Sequence, residues 1–271
     1  MGETSTARRR PTRSPGIGSI IFGPRFGAAT VDRQVAVLLG CILSAFAVFA
    51  IWPDIDLRIS SAFHDPATGF IIEGHPVTEA ARHAVWNLGI LLCLVAVFGV
   101  AIAAAGREFL LPGRTWGFVV TLYVIGPGLM VETLMKPLWG RARPAQIAEF
   151  GGPLHFSPPN EMVNLCLQNC SFVSGEVSGA TVTALTVLLF HDRVSDRLSK
   201  IASVLLLTFA WSLPLAVALQ RVAAGRHFLS DAVFALLFTL LLAVALSAGL
   251  RPTQRPASDA RAVQEVNPAK G

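Results

Sequence analysis

Charge is scarce in this chain. Asp, Glu, Lys and Arg make up 14% of its 271 residues, against about a quarter in soluble globular domains, so an ordinary water-soluble domain describes it poorly. The charge it has is not gathered on one basic face. The formal net charge is +5, yet the cations fall between apolar runs, which argues against nucleic-acid binding. Cysteine is sparse too. Cys41 and Cys93 lie inside apolar runs and are expected as inert core thiols. Cys166 and Cys170 share a polar loop and could pair if it faces an oxidising compartment. No histidine stands at a useful spacing from them, so no metal site is expected. An early apolar run is missing, so the start does not read as a cleaved signal peptide. Residues 1–33 instead read as a disordered basic tail, favoured over an Arg-Arg targeting signal around Arg8 to Arg10. Internal repeats and the period-two alternation of a membrane β-barrel are absent as well.

What the chain has in excess is apolar surface, 53% of its residues. Six stretches stand out, at about 35–52, 88–105, 117–135, 174–190, 201–220 and 229–249. Each approaches the roughly 20 residues that a helix needs to cross hydrocarbon, and helices satisfy their backbone internally there. The expected fold is all-α, a six-transmembrane-helix bundle spanning 34–250, with 251–271 a second disordered tail. The fourth stretch is the weakest, short and rich in Gly, Ser and Thr, a composition that favours close helix packing. With the N-terminus inside, the inner segments hold 15 of the 22 basic residues, and the outer ones hold Arg58, Arg82, Lys136, Arg141, Arg143, Arg221 and Arg226. That asymmetry places both termini in the cytoplasm.

Two outer segments are long, roughly 53–87 and 136–173. In the first, Val77, Ala80, Ala81, Ala84 and Val85 recur at helical spacing before Trp86; a short interfacial helix and a loop leading into the second span fit equally well. Asp54, Asp56 and Asp65 could suggest a cation site, but read rather as solvated turns, given their Pro and Gly neighbours. His64, His75, His83 and His191 read as ordinary loop or interface residues. Glu132 lies within the third span, where an unpaired carboxylate costs about 3 kcal/mol; an i, i+4 pair with Lys136 is the simplest account, ahead of a proton relay.

Three clusters fall at the outer ends of these spans: Lys136-Pro-Leu-Trp-Gly-Arg-Ala-Arg143-Pro144, Ser171-Phe-Val-Ser174-Gly175-Glu176, and Gln220-Arg221 through His227 to Asp231. Lys136, Arg143 and Arg221 supply cations for phosphate oxygens. Ser174 and Gly175 sit at a helix N-terminus, where free N–H groups and the dipole favour an anion. His227 and Asp231 share a helix face at i, i+4, so the carboxylate can orient the imidazole and leave its other nitrogen free to attack. Cations to bind a phosphoryl group and a histidine to accept it are the parts of a phosphoryl-transfer site.

Together these clusters resemble the signature of the type 2 phosphatidic acid phosphatases (PAP2), a superfamily shared with vanadium haloperoxidases: Lys, six residues, Arg-Pro; Pro-Ser-Gly-His; Ser-Arg, five residues, His, three residues, Asp. The resemblance covers roughly 88–249 and implies an all-helical core, a phosphohistidine at His227, and neither metal nor cofactor. Val173 and Gln220 replace the usual Pro and Ser. Glu176 stands where the family's histidine protonates the leaving alkoxide. Either Glu176 is the acid, or His155 substitutes, or the enzyme is impaired; a leaving group that needs less acid help, such as pyrophosphate or a sugar phosphate, is a further reading.

The expected function is that of a metal-independent integral membrane phosphatase acting on a lipid phosphomonoester or pyrophosphate. Family substrates include phosphatidic acid, phosphatidylglycerol phosphate, lipid A and undecaprenyl pyrophosphate. The long outer segments suggest a bacterial inner-membrane enzyme with a periplasm-facing site, and a lean towards lipid A or a phospholipid phosphate. Six lipid-length spans disfavour a soluble haloperoxidase. The alternative is a protein of the same fold that binds or transports phosphate lipids without turnover.

Overall fold

The computed structural model describes residues 28–250. Most of both expected tails, with the Arg8 to Arg10 signal, lies outside the described residues. Residues 28–33, expected in the first tail, instead begin a helix.

The described chain is mostly helical. Helix α1 is Ala28–Ile51, and after Trp52-Pro53 the short α2 is Asp54–Ser61. A two-stranded antiparallel ribbon follows, β1 His64–Asp65 with β2 Gly69–Phe70, pairing His64 with Phe70. Helix α3 is Pro76–Ala104. Residues 77–86 are therefore its first turns, neither a separate interfacial helix nor a loop. Proline at the first position suits that start, because its missing N–H would have no partner there anyway.

Helix α4, Gly113–Tyr123, runs into a π-helical segment, Val124–Met135, and then α5, Lys136–Trp139. Pro127 lies inside the π segment and cannot donate to an α-helical ladder. The last helices are α6 Gly175–Val194, α7 Lys200–Ala223 and α8 Leu229–Leu250.

Among the described residues, five helical stretches are long and apolar enough to cross a membrane: Thr30–Ile51, Pro76–Ala104, Gly113–Gln146, Lys200–Ala223 and Leu229–Leu250. They carry their large apolar side chains outward, among them Leu43, Trp86, Leu94, Phe98, Val204 and Leu205, a surface suited to lipid and not to water. Cys41 belongs to this outward side, being exposed, and Cys93 is half-buried; neither is a core thiol. An apolar run does not say which helix face a residue occupies.

Helix α6 is not among the five. It packs against α3, the π segment, α7 and α8, and is lined by buried Ser178, Thr181, Thr183 and Thr186 beside Val182, Leu185 and Leu188. Its threonines return their hydroxyls to carbonyls one turn back, at 2.8 to 2.9 Å. Thr183 and Ser178 also meet Tyr123 and Thr239, at 2.9 and 2.8 Å. The weakest apolar stretch is thus the innermost helix: small side chains admit close neighbours, and paired hydroxyls remove the cost of burying them.

Gly140 ties this bundle to the long segment that follows. Its φ is +54°, its carbonyl accepts from Leu165 and Cys166 N–H, and a Cβ there would collide with the Val163 carbonyl. Gly140→Ala should destabilise the protein by about 2–4 kcal/mol, combining left-handed strain with a backbone clash. A thermal melt in detergent reads this as a lowered midpoint; an unchanged midpoint would contradict the packing.

Candidate active site

The chemistry-bearing clusters meet at one end of the bundle. Lys136 opens α5, Gly175 and Glu176 open α6, Arg221 is in the last turn of α7, and Asp231 is in the first turn of α8. Lys136, Arg143, Gly175, Glu176, Arg221 and His227 all line one open cavity of about 800 Å³. Ser174 does not face it as expected: it is fully buried, and its hydroxyl accepts from the Val177 N–H at 3.4 Å, capping its own helix. Gly175 does line the wall, and a Cβ there would strike the Glu132 carboxylate.

His227 is held from behind. Its Nδ1 lies 2.7 Å from the Ser171 carbonyl, an acceptor, so Nδ1 carries the proton and Nε2 keeps its lone pair. The Asp231 Oδ2 is 3.7 Å from Nδ1, near enough for its charge to act but beyond a hydrogen bond. Orientation thus comes from the carbonyl, not directly from the carboxylate as the i, i+4 spacing implied. Asp231 is fully buried and accepts from Arg141 at 2.6 Å, the Phe228 N–H at 2.8 Å and the Ser171 hydroxyl. Burial holds the His227 pKa below its ordinary value, against the opposing pull of Asp231.

The cations are not bare. Lys136 Nζ is 2.6 Å from Glu132 Oε1, the expected i, i+4 pair, and 3.4 Å from Asn169 Oδ1. Arg143 donates to the Asn169 carbonyl at 3.0 Å and to its Oδ1 at 2.6 Å. Asn169 therefore bridges two cations with an amide oxygen, much as a phosphate oxygen would. It lies in a loop closed by a disulfide between Cys166 and Cys170, whose Cα atoms are 5.5 Å apart. Arg221 donates to Glu176 at 3.3 Å and Glu79 at 3.2 Å, and Arg82 to Glu176 at 3.3 Å and Glu79 at 2.7 Å. Gln220, where the family usually has Ser, accepts from Arg221 and donates to Glu79 at 3.2 Å. His155 is exposed and is not on the cavity wall, whereas Glu176 is.

Several of these residues escaped sequence reasoning. Asn169, Glu79 and Arg82 carried no motif. Asp56 is fully buried, not in a solvated turn: it accepts from Arg141 and from the Ser230 N–H, both at 2.9 Å. Burial, with the nearby Asp231, raises its pKa despite Arg141. Among the described residues, no cluster of three or more His, Cys, Asp or Glu is arranged to hold a metal ion.

Comparison with known proteins agrees with this geometry. The model of the PAP2 superfamily matches residues 116–254. A lipid A 4'-phosphatase of Rhizobium leguminosarum is 31% identical over 74% of this chain and 90% of its own length. Enzymes of the same name are 29% identical in Rhizobium etli, over 80% of this chain and 90% of theirs, and 26% identical in Francisella tularensis subsp. novicida, over 76% and 91%. No solved structure matches the chain significantly.

The disulfide gives a direct count. Denatured, unreduced protein should take up two alkyl groups from iodoacetamide, on Cys41 and Cys93, and four after reduction. Peptide mass spectrometry showing Cys166 or Cys170 alkylated without reductant would contradict the bridge.

Proposed function

The chain belongs to the PAP2 superfamily and is an integral membrane lipid phosphate phosphatase, and we propose that it hydrolyses a phosphate of lipid A through a phosphohistidine at His227. The observation that carries this reading is the meeting of Lys136, Arg143 and Arg221 with the His227 imidazole, Nδ1 committed, in one cavity. The naming of three relatives as lipid A 4'-phosphatases supports that substrate.

In this mechanism the cations receive the phosphoryl oxygens in place of their present partners, Asn169 and Glu176. The Nε2 lone pair forms the N–P bond as the ester P–O bond breaks, and a protonated Glu176 gives its proton to the leaving oxygen. Water then attacks phosphorus and returns a proton to the Glu176 carboxylate. The N–P bond breaks, releasing phosphate and restoring the imidazole. Binding without turnover, which Glu176 alone would suggest, is not favoured, since the relatives are named as phosphatases.

We also read α6 as a sixth span enclosed by the other five, so that residues 28–250 form one membrane domain with both termini in the cytoplasm. The cavity then opens at the outer face, on the periplasmic side of a bacterial inner membrane. The excess of Lys and Arg in the inner segments supports this orientation, and so does a disulfide on the cavity side.

Phosphate release from a panel of lipid A, phosphatidic acid and phosphatidylglycerol phosphate tests the substrate; lipid A should be hydrolysed fastest, and a preference for either phospholipid would overturn it. His227→Ala should lower kcat by at least about a thousandfold, with vanadate inhibiting the wild type and chelators leaving it active. Full activity in that variant sinks the mechanism. Glu176→Gln should lose about 10²- to 10⁴-fold in kcat; unaltered activity removes Glu176 from proton transfer. Since the nucleophile must be neutral and burial lowers the His227 pKa, activity should be lost only as pH falls below about 6.5. An acid limb well above that value would contradict the buried imidazole.

A further inference from the structure

Behind the cavity lies a buried charge network that the family signature does not include. Arg141 falls within the six unspecified residues between Lys136 and Arg143. Asp56 precedes the 116–254 segment that the family model matches. Both are fully buried, as are Ser230 and Asp231. The Arg141 guanidinium donates to Asp231 Oδ1 at 2.6 Å through one nitrogen and to Asp56 Oδ2 at 2.9 Å through the other. Its Nε donates to the Ser157 carbonyl at 2.8 Å, and the Phe228 ring covers its face at 4.3 Å. The guanidinium therefore has little freedom to leave either carboxylate.

We propose that Asp56 and Arg141 are positioning residues that set the charge Asp231 presents to His227, and so the basicity of the imidazole. The proposal rests on His227 being the nucleophile. Asp231 stands 3.7 Å from Nδ1 and, alone, would favour the imidazolium, which cannot attack phosphorus. Arg141 offsets that charge, and Asp56 draws part of Arg141 away. One cation between two carboxylates leaves the group at a net single negative charge. Arg141 thus favours the neutral imidazole, while the negative charge that Asp56 restores still stabilises the cation that develops on it during phosphoryl transfer.

The other charged groups facing His227 lie across the cavity. They are Lys136 and its partner Glu132, Arg143 beside them, Glu176 on α6, Arg221 on α7, Arg226 in the turn before His227, and Glu79 with Arg82 on α3. Among the described residues none of them is hydrogen-bonded or ion-paired to Asp56 or Arg141.

The test changes the network's charge in both directions and reads His227 itself. Full-length protein with isotope-labelled histidine is titrated by NMR in detergent micelles, the His227 signal being assigned from the spectrum of His227→Gln. Asp56→Asn should lower the imidazole pKa by roughly half a unit and move the acid limb of kcat/KM the same way. Arg141→Gln should raise both, and the double variant should return them towards wild type. Ser230→Ala loosens the same packing without altering charge and should leave the pKa in place. If Arg141→Gln alone does not fold, Asp56→Asn and the double variant carry the same test. An imidazole unmoved by Asp56→Asn, or moved equally by Ser230→Ala, overturns the proposal. Hydrolysis retained in His227→Ala would instead remove the nucleophile and leave the measured coupling standing, so the two failures are distinguishable.

Discussion

The proposed attack on phosphorus by a neutral His227 imidazole needs one ring nitrogen free and aimed at the cavity while the other is held. Here that commitment is the short contact from Nδ1 to the Ser171 carbonyl. The carbonyl is placed by its own neighbours: the Ser171 N–H donates to the Arg141 backbone carbonyl and the Ser171 hydroxyl to Asp231. The Arg141 side chain in turn reaches Asp231 and Asp56. Residues from the segment after α1, the loop after α5, the loop before α6 and the start of α8 thus converge on one ring. Such a network holds only if every polar member finds a partner, because an unpaired buried charge costs several kcal/mol. Fixing the tautomer of His227 is in this sense a property of this whole end of the bundle.

The cavity in front of that ring works by competition. Its cations are satisfied by Glu132, Asn169, Glu79 and Glu176. A phosphate bound as proposed would displace partners that are already well placed, making binding an exchange of hydrogen bonds with modest net gain. Arg221 is shared between Glu176 and the proposed phosphate position, which couples the leaving-group side of the site to the phosphate side. Asn169 makes a similar link for Lys136 and Arg143, and the short loop closed by the Cys166–Cys170 bridge limits how far it can retreat.

The sequence carried the first ring of this site because those residues stand at fixed spacings between apolar runs. Lys136, Arg143, Arg221, His227 and Asp231 were readable from spacing, and the Glu132–Lys136 pair from helical geometry. What supports them was not. Arg141 looks like one more outer-segment cation until the bundle buries it. Asp56 follows Pro53 and so suggests a turn, yet it begins a short helix whose other end leads to the ribbon. Asn169 sits in a polar loop with nothing local to mark it. Ser174 was read as part of an anion-binding helix N-terminus, but its hydroxyl turns inward and caps the helix instead. Long-range pairings such as 56 with 141, or 82 with 176, have no local signature, since both depend on where distant helices end.

The weak fourth apolar stretch follows the same logic at the scale of the fold. A helix facing lipid needs a continuous apolar surface, whereas one surrounded by other helices needs small side chains and satisfied hydroxyls. α6 meets the second requirement through Ser178, Thr181, Thr183 and Thr186. Hydropathy falls as burial rises, so the segment that looks least like a membrane span is the one at the centre. That position also explains where the site can be. The first turn of α6 brings Gly175 and Glu176 to the cavity wall, within reach of α3, α5 and α7, which supply Arg82, Lys136 and Arg221. A more lipophilic α6 with bulkier side chains would push those three helices apart, and with them the cations proposed to close on a single phosphate.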